Sequence, residues 1–406
     1  MTAPQGGSHP YDLSCILDPP HLSDVKAVLA ISNDMIASAS RDSSVGIWTR
    51  VGQSKFELKA LLDGHHAYVN SLAYIPSTDE SDDLLASGGN SSLILLHSLR
   101  SLSPESQHCL VGHSLNVCTM SYSRKTRKLI SGSWDQTARV WSKSSGEWDC
   151  ETVLEGHDQA VWGVAIIDEG PKEGCYLTAD RMIFLWNQKG EVLQRFKGSP
   201  EPVRSLAILP GGETFASACN DNLIRIWNFE GSVVGNLKGH TDYVYQVVPG
   251  VQGVELVSCG EDHTARAWTN GKNESVLLHP CQTVWSVSCL SNGDIVTGGS
   301  DGGVRIWTRA SDRLADQDIR DAYMEVVKEK IPSPQPDNNN RDQSEPASLT
   351  IDIDLSDDDL PIPLVFQIGS DPRATAEAFG QEHGLSDNYI NQIEAFIKAH
   401  LEVANP

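Results

Sequence analysis

The stretch SGSWDQTARVW, residues 131–141, holds two tryptophans seven positions apart, and the first stands directly before an aspartate. Windows of the same form end at four other tryptophans, and a copy one residue shorter, LTADRMIFLW, ends at Trp186. A weaker copy, ASGGNSSLILLH, has Ser91 in the aspartate position and ends at His97. The closing residues are 48, 97, 141, 186, 227, 268 and 307. Self-similarity with a period of 39–49 residues predicts a repeat architecture.

A second element stands before most of these windows. Gly-His occurs at residues 64–65, 112–113, 156–157 and 239–240, Pro20-His21 keeps the histidine, and Ser199 and Pro280 take its place in the fifth and seventh repeats. The short segments between are rich in β-branched residues and end in Gly, Asn or Asp, which predicts strands joined by tight turns. Such a unit resembles the WD repeat, one blade of a β-propeller. The resemblance implies an all-β, seven-bladed WD-repeat propeller over residues 11–309.

The resemblance also implies a structural role for the repeated histidine, aspartate and tryptophan. In the family the histidine bonds the aspartate of the turn, and a strand Ser or Thr links the histidine to the indole N–H. A catalytic His–Asp pair is the alternative, but several near-identical copies fit a repeated buried network better than one active site. The full set is expected at His21, Asp42 and Trp48; His113, Asp135 and Trp141; His157, Asp180 and Trp186; and His240, Asp262 and Trp268.

The fifth repeat has an aspartate without the histidine. Because Ser199 stands in the histidine position, the repeat pattern predicts that Asp221→Ala destabilises the protein less than Asp135→Ala does.

The two ends of the repeat array must meet, since each end of an open ring exposes a strand edge. YDLSCIL, residues 11–17, precedes the first histidine and reads as an unpaired strand, whereas TRASDRLADQD after Trp307 is polar and poor in strand formers. We therefore expect residues 11–17 to complete the seventh blade.

Composition restricts the class of partner. The formal charge of −23 and the pI near 4.8 argue against nucleic acid and acidic membranes as partners. The nine cysteines are scattered and never form CxxC, which is typical of a reduced, intracellular protein. The first residues lack the pattern of a signal peptide, and no apolar run reaches the length of a membrane span. We expect a cytoplasmic protein, with the nucleus as a second location.

The last quarter of the chain carries a different organisation. Residues 310–347 read as a short helix and a flexible linker, and residues 348–402 as a small α+β module. SLTIDIDL and IPLVFQI, at 348–355 and 362–368, are the strand candidates. Asp371-Pro372 starts a helix with Ala374, Ala378 and Phe379 on one face. A second helix is expected from Ser386 or Asp387, with an apolar stripe at Tyr389, Ile393, Phe396 and Ile397.

DPRATAEAFGQEHGLSDNYINQIEAFI, residues 371–397, resembles the second half of the PFU domain, the ubiquitin-binding module of the phospholipase-activating protein family (PLAA, called Doa in yeast). GGNSSLILLHSL and LSNGDIVTGGSDGGVRIWT also look like that family's propeller. The resemblance implies ubiquitin and ubiquitinated proteins as partners. The Trp-rich first half of the PFU domain has no counterpart between 331 and 347. We also expect no counterpart in this sequence of the family's helical-repeat domain, which docks a ubiquitin-selective AAA segregase.

Three positions of each repeat are expected to meet on the upper face around the central channel. They lie three and five residues after the histidine and directly before the turn aspartate; the fifth-residue set includes Lys26, Asn70 and Cys118. A blade does not need aromatic residues there. Clustered tryptophan, tyrosine and arginine have the composition of an interface hot spot, so we predict a protein-binding surface formed by Tyr68, Trp134, Trp162, Tyr243, Tyr245, Trp285, Arg41 and Arg204.

The leading hypothesis is a non-enzymatic ubiquitin-binding adaptor in ubiquitin-dependent degradation and ubiquitin homeostasis. Ubiquitin carries an apolar patch ringed by basic residues, which suits an aromatic surface on an acidic protein. A general WD-repeat scaffold for another protein or peptide is the alternative. The sequence contains no P-loop and no metal-spaced His/Cys cluster, so we expect no catalytic residue, cofactor or metal.

Overall fold

The computed structural model describes residues 10–77, 82–144, 146–331, 348–353, 362–367, 370–382, 390, 393–394 and 397–398. The chain divides into two compact units, Met1–Pro332 and Ser333–Pro406. No helix among the described residues is long and apolar enough to cross a membrane.

The first unit is a ring of seven antiparallel four-stranded sheets. Blades 1 to 6 each use four consecutive strands, from β2–β5 to β22–β25, and blade 7 consists of β26, β27, β28 and β1. The strands are β1 Asp12–Ile16, β2 Val25–Ser32, β3 Met35–Ser40, β4 Val45–Gly52, β5 Lys55–Leu62, β6 Val69–Ile75, β7 Leu84–Gly89, β8 Ile94–Ser98, β9 His108–Leu110, β10 Val117–Ser123, β11 Lys128–Ser133, β12 Ala138–Ser144, β13 Glu147–Leu154, β14 Gly163–Ile166, β15 Tyr176–Ala179, β16 Ile183–Trp186, β17 Val192–Phe196, β18 Val203–Ile208, β19 Thr214–Cys219, β20 Ile224–Asn228, β21 Val233–Leu237, β22 Val244–Pro249, β23 Leu256–Gly260, β24 Thr264–Thr269, β25 Lys272–Leu278, β26 Val284–Cys289, β27 Ile295–Gly299 and β28 Val304–Thr308.

Strand β1 closes the ring as the sequence predicts. It pairs antiparallel with β28, with Leu13 opposite Trp307. Leu13 and Leu17 are 1 % and 2 % exposed, and they lie in two different apolar clusters. The cluster around Leu17 includes Trp48 of blade 1, so the N-terminal strand joins the first blade to the last.

The core lies between the blades. Each cluster of buried aliphatic side chains combines residues from neighbouring sheets, and five of the blade tryptophans are among the largest fully buried side chains. Inner strands also touch across the ring closure, where the amide of Val28 donates to the hydroxyl of Ser286 at 2.9 Å. Burying these apolar faces against each other is the main favourable contribution to folding.

A helix follows blade 7. α1, Gln317–Lys330, packs Tyr323 and Val327 into the cluster that contains Trp307, and the Tyr323 hydroxyl donates to the carbonyl of Leu278 at 2.8 Å. The sequence grouped this helix with the linker, but its two buried side chains lie in the core of the first unit.

The second unit is described by two strands and one long helix. β29, Ser348–Ile353, pairs antiparallel with β30, Ile362–Gln367, and α2 spans Pro372–Glu382. The expected buried face of α2 is wrong in part: Ala374 and Ala378 are exposed, whereas Ala376 and Phe379, spaced i and i+3, are buried. They pack with Leu364, Phe366, Ile390, Ile393 and Ile397.

Part of the predicted second helix lies outside the described residues. Ile393 and Ile397 are helical and buried, but Tyr389 and Phe396 of the expected stripe belong to the positions that are not described. The same holds for residues 332–347, the predicted linker.

Candidate protein-binding site

The blades are held by a repeated hydrogen-bond network. In blade 3, Nδ1 of His113 lies 2.8 Å from Asp135, its Nε2 lies 2.7 Å from the hydroxyl of Ser131, and the Trp141 indole donates to that hydroxyl at 2.8 Å. Blade 6 has the same contacts at His240, Asp262 and Trp268. In blades 1 and 4 the histidine-to-aspartate distances are 3.3 and 3.4 Å, for His21–Asp42 and His157–Asp180, and Trp48 and Trp186 bond the strand hydroxyl.

Blade 7 differs from the sequence expectation. The histidine is His279, one residue before the position assigned to Pro280; its Nε2 lies 2.8 Å from the hydroxyl of Thr297, which accepts from the Trp307 indole at 2.9 Å. Because His279 stands one residue before the position given by the repeat spacing, the sequence comparison did not identify it. The turn aspartate Asp301 then bonds Arg305 instead of the histidine.

In blade 5 an arginine also pairs with the turn aspartate. Arg225 donates two hydrogen bonds to Asp221, at 3.0 and 2.5 Å, and its side chain is 9 % exposed. Asp221 therefore has a buried partner that the histidine position did not reveal.

The turn geometry directs Trp134 onto the upper face. Gln136, directly after the turn aspartate, has φ of 65°, and Asp135 accepts the amide hydrogen of Thr137 at 3.0 Å. This local bond stabilises the tight turn. The amide of Trp134 donates to the carbonyl of Asn116, the neighbouring segment of the same face, at 3.0 Å.

A cavity of about 360 Å³ opens where these positions meet. We call it the mouth. It is lined by Lys26, Arg41, Tyr68, Asn70, Asn90, Asn116, Cys118, Trp134, Trp162, Arg204, Tyr245 and Trp285. Seven of the eight predicted binding residues belong to this lining. Tyr243 does not, and is 44 % exposed beside it, with its ring 6.4 Å from that of Tyr245.

The aromatic rings of the mouth pack on each other and on arginine. Trp134 is 45 % exposed and meets Trp162 edge to face, with ring centroids 5.7 Å apart. The guanidinium of Arg204 lies 4.2 Å from the Trp162 ring centroid. The ring centroids of Tyr245 and Trp285 are 4.4 Å apart. These contacts orient large side chains at low conformational cost, as at a preformed interface.

Trp285 has a structural bond that the sequence did not predict. Its indole donates to the carboxylate of Asp24 at 2.9 Å, and Arg41 donates to the same carboxylate at 3.0 Å. The Trp134 indole donates to no residue that the structure describes, so of the two tryptophans Trp134 is the better probe of binding without loss of stability.

The buried histidines make the stability of the propeller depend on pH. Burial, with a smaller contribution from His97, lowers the pKa of His65 to about 4. Below pH 6.5 the unfolded chain then binds more protons than the folded one, so stability is fully present above pH 6.5 and falls as the pH falls toward 4. We expect a loss of about 1 kcal/mol per pH unit from this residue.

Urea unfolding at pH 7, 6, 5 and 4 measures this loss. His65→Gln should reduce the slope of the profile between pH 6.5 and 4 by about this amount, while His66→Gln, which alters the exposed neighbour, should change it far less. An unaltered slope in His65→Gln would show that His65 is not the titrating group.

Among the residues that the structure describes, no group of three or more His, Cys, Asp or Glu could hold a metal ion. The site therefore rests on aromatic, cationic and amide side chains.

Seven four-stranded blades, with a buried tryptophan closing six of them, define the class as a WD-repeat β-propeller. The WD domain, G-beta repeat model matches residues 104–142, 148–187, 190–228, 231–269 and 271–308. Blade 1 and the first three strands of blade 2 lie outside these matches; blade 2 has Ser91 and His97 in the aspartate and tryptophan positions.

Comparison with known proteins gives the family. The ubiquitin homeostasis protein lub1 of Schizosaccharomyces pombe is 35% identical over 311 residues, 76% of this chain and 41% of lub1. The ubiquitin fusion degradation protein 3 homolog of Caenorhabditis elegans is 28% identical over 416 residues, 97% of this chain and 46% of that protein. The crystal structure of the WD40 beta propeller domain of Doa1 matches with a TM-score of 0.67 and 35% identity, over 75% of this chain and 99% of that one.

The chain belongs to the phospholipase-activating protein (PLAA/Doa) family, as the sequence predicts. It spans less than half the length of the two curated relatives above.

Proposed function

We propose that this chain is a non-enzymatic ubiquitin-binding adaptor in ubiquitin-dependent protein degradation and ubiquitin homeostasis, with the upper face of the propeller as its main binding surface. The names of lub1 and of the Caenorhabditis elegans relative support a ubiquitin-related role. The proposal places the chain in the cytoplasm and nucleus, with a AAA segregase as a further partner reached through ubiquitinated clients.

The observation that carries the proposal is the exposed Trp134 at the edge of the mouth. It lies on a turn whose geometry is set by Asp135, and Trp141 already closes the blade. Its ring is supported by Trp162, which in turn stacks with Arg204. An exposed tryptophan on a rigid aromatic support is the type of residue that dominates binding energy at protein interfaces.

The charge around the mouth supports the same partner. Asp158, Glu201 and Asp242 are exposed in the segments that enter blades 4, 5 and 6 on the upper face. Exposed carboxylates in these segments would be complementary to basic residues that surround an apolar patch, and complementary charge favours association.

We propose a weaker second reader in the C-terminal unit. The cluster around Phe366 and Phe379 lies in the region that resembles half of a PFU domain. Because the other half has no counterpart in residues 331–347, most of the affinity should come from the propeller.

Calorimetric titration with mono- and polyubiquitin tests the proposal. Trp134→Ala should weaken binding by about 2 kcal/mol, about thirtyfold, because truncating an anchor removes a desolvated contact. Leu193→Ala, which removes a half-exposed apolar side chain from the outer strand β17, is the matched control and should bind normally.

The same titration on residues 1–332 separates the two units. This part should retain most of the affinity of the full chain. If it fails to bind, or if folded Trp134→Ala binds normally, the site is wrong and a scaffold for another protein becomes the better interpretation.

A further inference from the structure

The mouth is basic although the chain is strongly acidic. Its lining contains Lys26, Arg41 and Arg204 and no carboxylate, whereas the whole chain has a formal charge of −23. Three cations facing one cavity in such a chain are unexpected from composition.

The neighbouring carboxylates leave two of these cations without an anionic partner. Arg41 is paired with Asp24 at 3.0 Å, and that carboxylate also accepts from Trp285. Glu261 lies nearby and accepts from the hydroxyl of Thr283 at 2.9 Å. Neither acid forms an ion pair with Lys26 or Arg204 within the part of the chain that the structure describes.

Lys26 rests on an aromatic face. Its ammonium lies 2.9 Å from the centroid of Trp285 and forms no hydrogen bond with any described residue. Burial lowers the pKa of Lys26 well below its usual value, and Arg41 and Arg204 lower it further, while Asp24 and Glu261 raise it. A cation held this way gains from any anion that enters, since the anion offsets both burial and like-charge repulsion.

Arg204 presents free donors beside it. Its Nε donates to the side-chain oxygen of Asn220 at 2.8 Å, and stacking on Trp162 fixes the plane of the guanidinium. Its two terminal nitrogens donate to no residue that the structure describes. A planar guanidinium with two unused nitrogens matches the geometry of a carboxylate or phosphoryl group.

We infer that the mouth binds an anionic side chain of a polypeptide, either a carboxylate or a phosphorylated residue, with Lys26 and Arg204 holding its oxygens. Trp162 and Trp285 would flank the residues next to the anion. The volume of about 360 Å³ is at the lower end of ligand pockets, so it fits one or two side chains rather than a folded segment. The inference is independent of ubiquitin binding, because it concerns an acidic peptide and needs no ubiquitin in the assay.

The test uses the full chain and three fluorescein-labelled peptides of one length: one with a central phosphoserine, one with a central glutamate pair and one with glutamine instead. By fluorescence anisotropy, at least one anionic peptide should bind at least tenfold more tightly than the glutamine peptide, and the difference should shrink as salt is added. The stronger anionic peptide identifies the source of the charge. Equal binding of all three peptides overturns the inference.

Variants locate the site. Arg204→Gln and Lys26→Gln should each weaken binding of the anionic peptide at least tenfold. Arg181→Gln removes an exposed arginine of the blade 4 turn that lies outside the mouth and should have no effect. Melting curves show which variants fold. If one of the two mouth variants does not fold, the other still tests the site.

Normal binding by both folded mouth variants overturns the site. Binding of an anionic peptide by a chain that fails to bind ubiquitin supports this inference and refutes the proposed function. The reverse result supports the proposed function alone.

Discussion

A chain that starts at Asp18 should melt at least about 10 °C below the intact protein, because it loses the strand that closes the ring. The deleted segment contains the buried side chains of Tyr11, Leu13 and Leu17, and burying one large apolar side chain contributes about 1.5–3 kcal/mol. The loss is at least about 5 kcal/mol, which is comparable to the whole stability of many proteins. Differential scanning calorimetry of the two chains measures the difference.

Point variants on the same strand separate loss of closure from a general effect of truncation. Leu13→Ala removes a side chain that is 1 % exposed and should cost about 2–5 kcal/mol. Ile16→Ala changes a side chain that is 41 % exposed and should cost far less. An unchanged melting temperature after truncation would refute closure by β1.

The closure was predictable in outline and not in detail. Residues 11–17 read as a strand without a partner, and a ring has one vacant position for it. The sequence did not reveal that Asp294, fully buried, is bonded by Arg313 at 2.9 Å and lies 3.5 Å from Arg50. These ion pairs join blade 7 to blade 1 and to the segment after the ring. They connect residues far apart in the chain, and no local pattern encodes such a contact.

The mouth also has features that the sequence predicts and features that it does not. Repeat spacing predicted which backbone positions converge, because every blade places equivalent residues at equivalent sites. It did not predict that Tyr243 lies beside the cavity, that Asp24 bonds Trp285, or that Lys26 lies over the same ring. Those features depend on side-chain rotamers and on neighbours from other blades, and the spacing of the repeat specifies neither.

The turn aspartates show that a blade without the histidine does not necessarily gain less stability from its aspartate. Ser199 in the histidine position predicted that Asp221→Ala costs less stability than Asp135→Ala. That ranking ignored Arg225, four residues after Asp221 on the adjoining strand, whose guanidinium donates two hydrogen bonds to the carboxylate. Blade 7 repeats the arrangement with Asp301 and Arg305.

We therefore expect Asp221→Ala to cost about 3 kcal/mol or more, because it leaves the buried guanidinium of Arg225 without its counter-charge. Asp135→Ala leaves a histidine and backbone N–H groups short of an acceptor and should cost about 1–3 kcal/mol. Urea unfolding at pH 7 compares the free energies of unfolding of the two variants.

The double variant Asp221→Ala/Arg225→Met removes both charges and should recover much of the stability lost in Asp221→Ala. If the double variant is no more stable than Asp221→Ala, the unpaired guanidinium is not the cause. If Asp221→Ala costs clearly less than Asp135→Ala, the ranking from the repeat pattern was right.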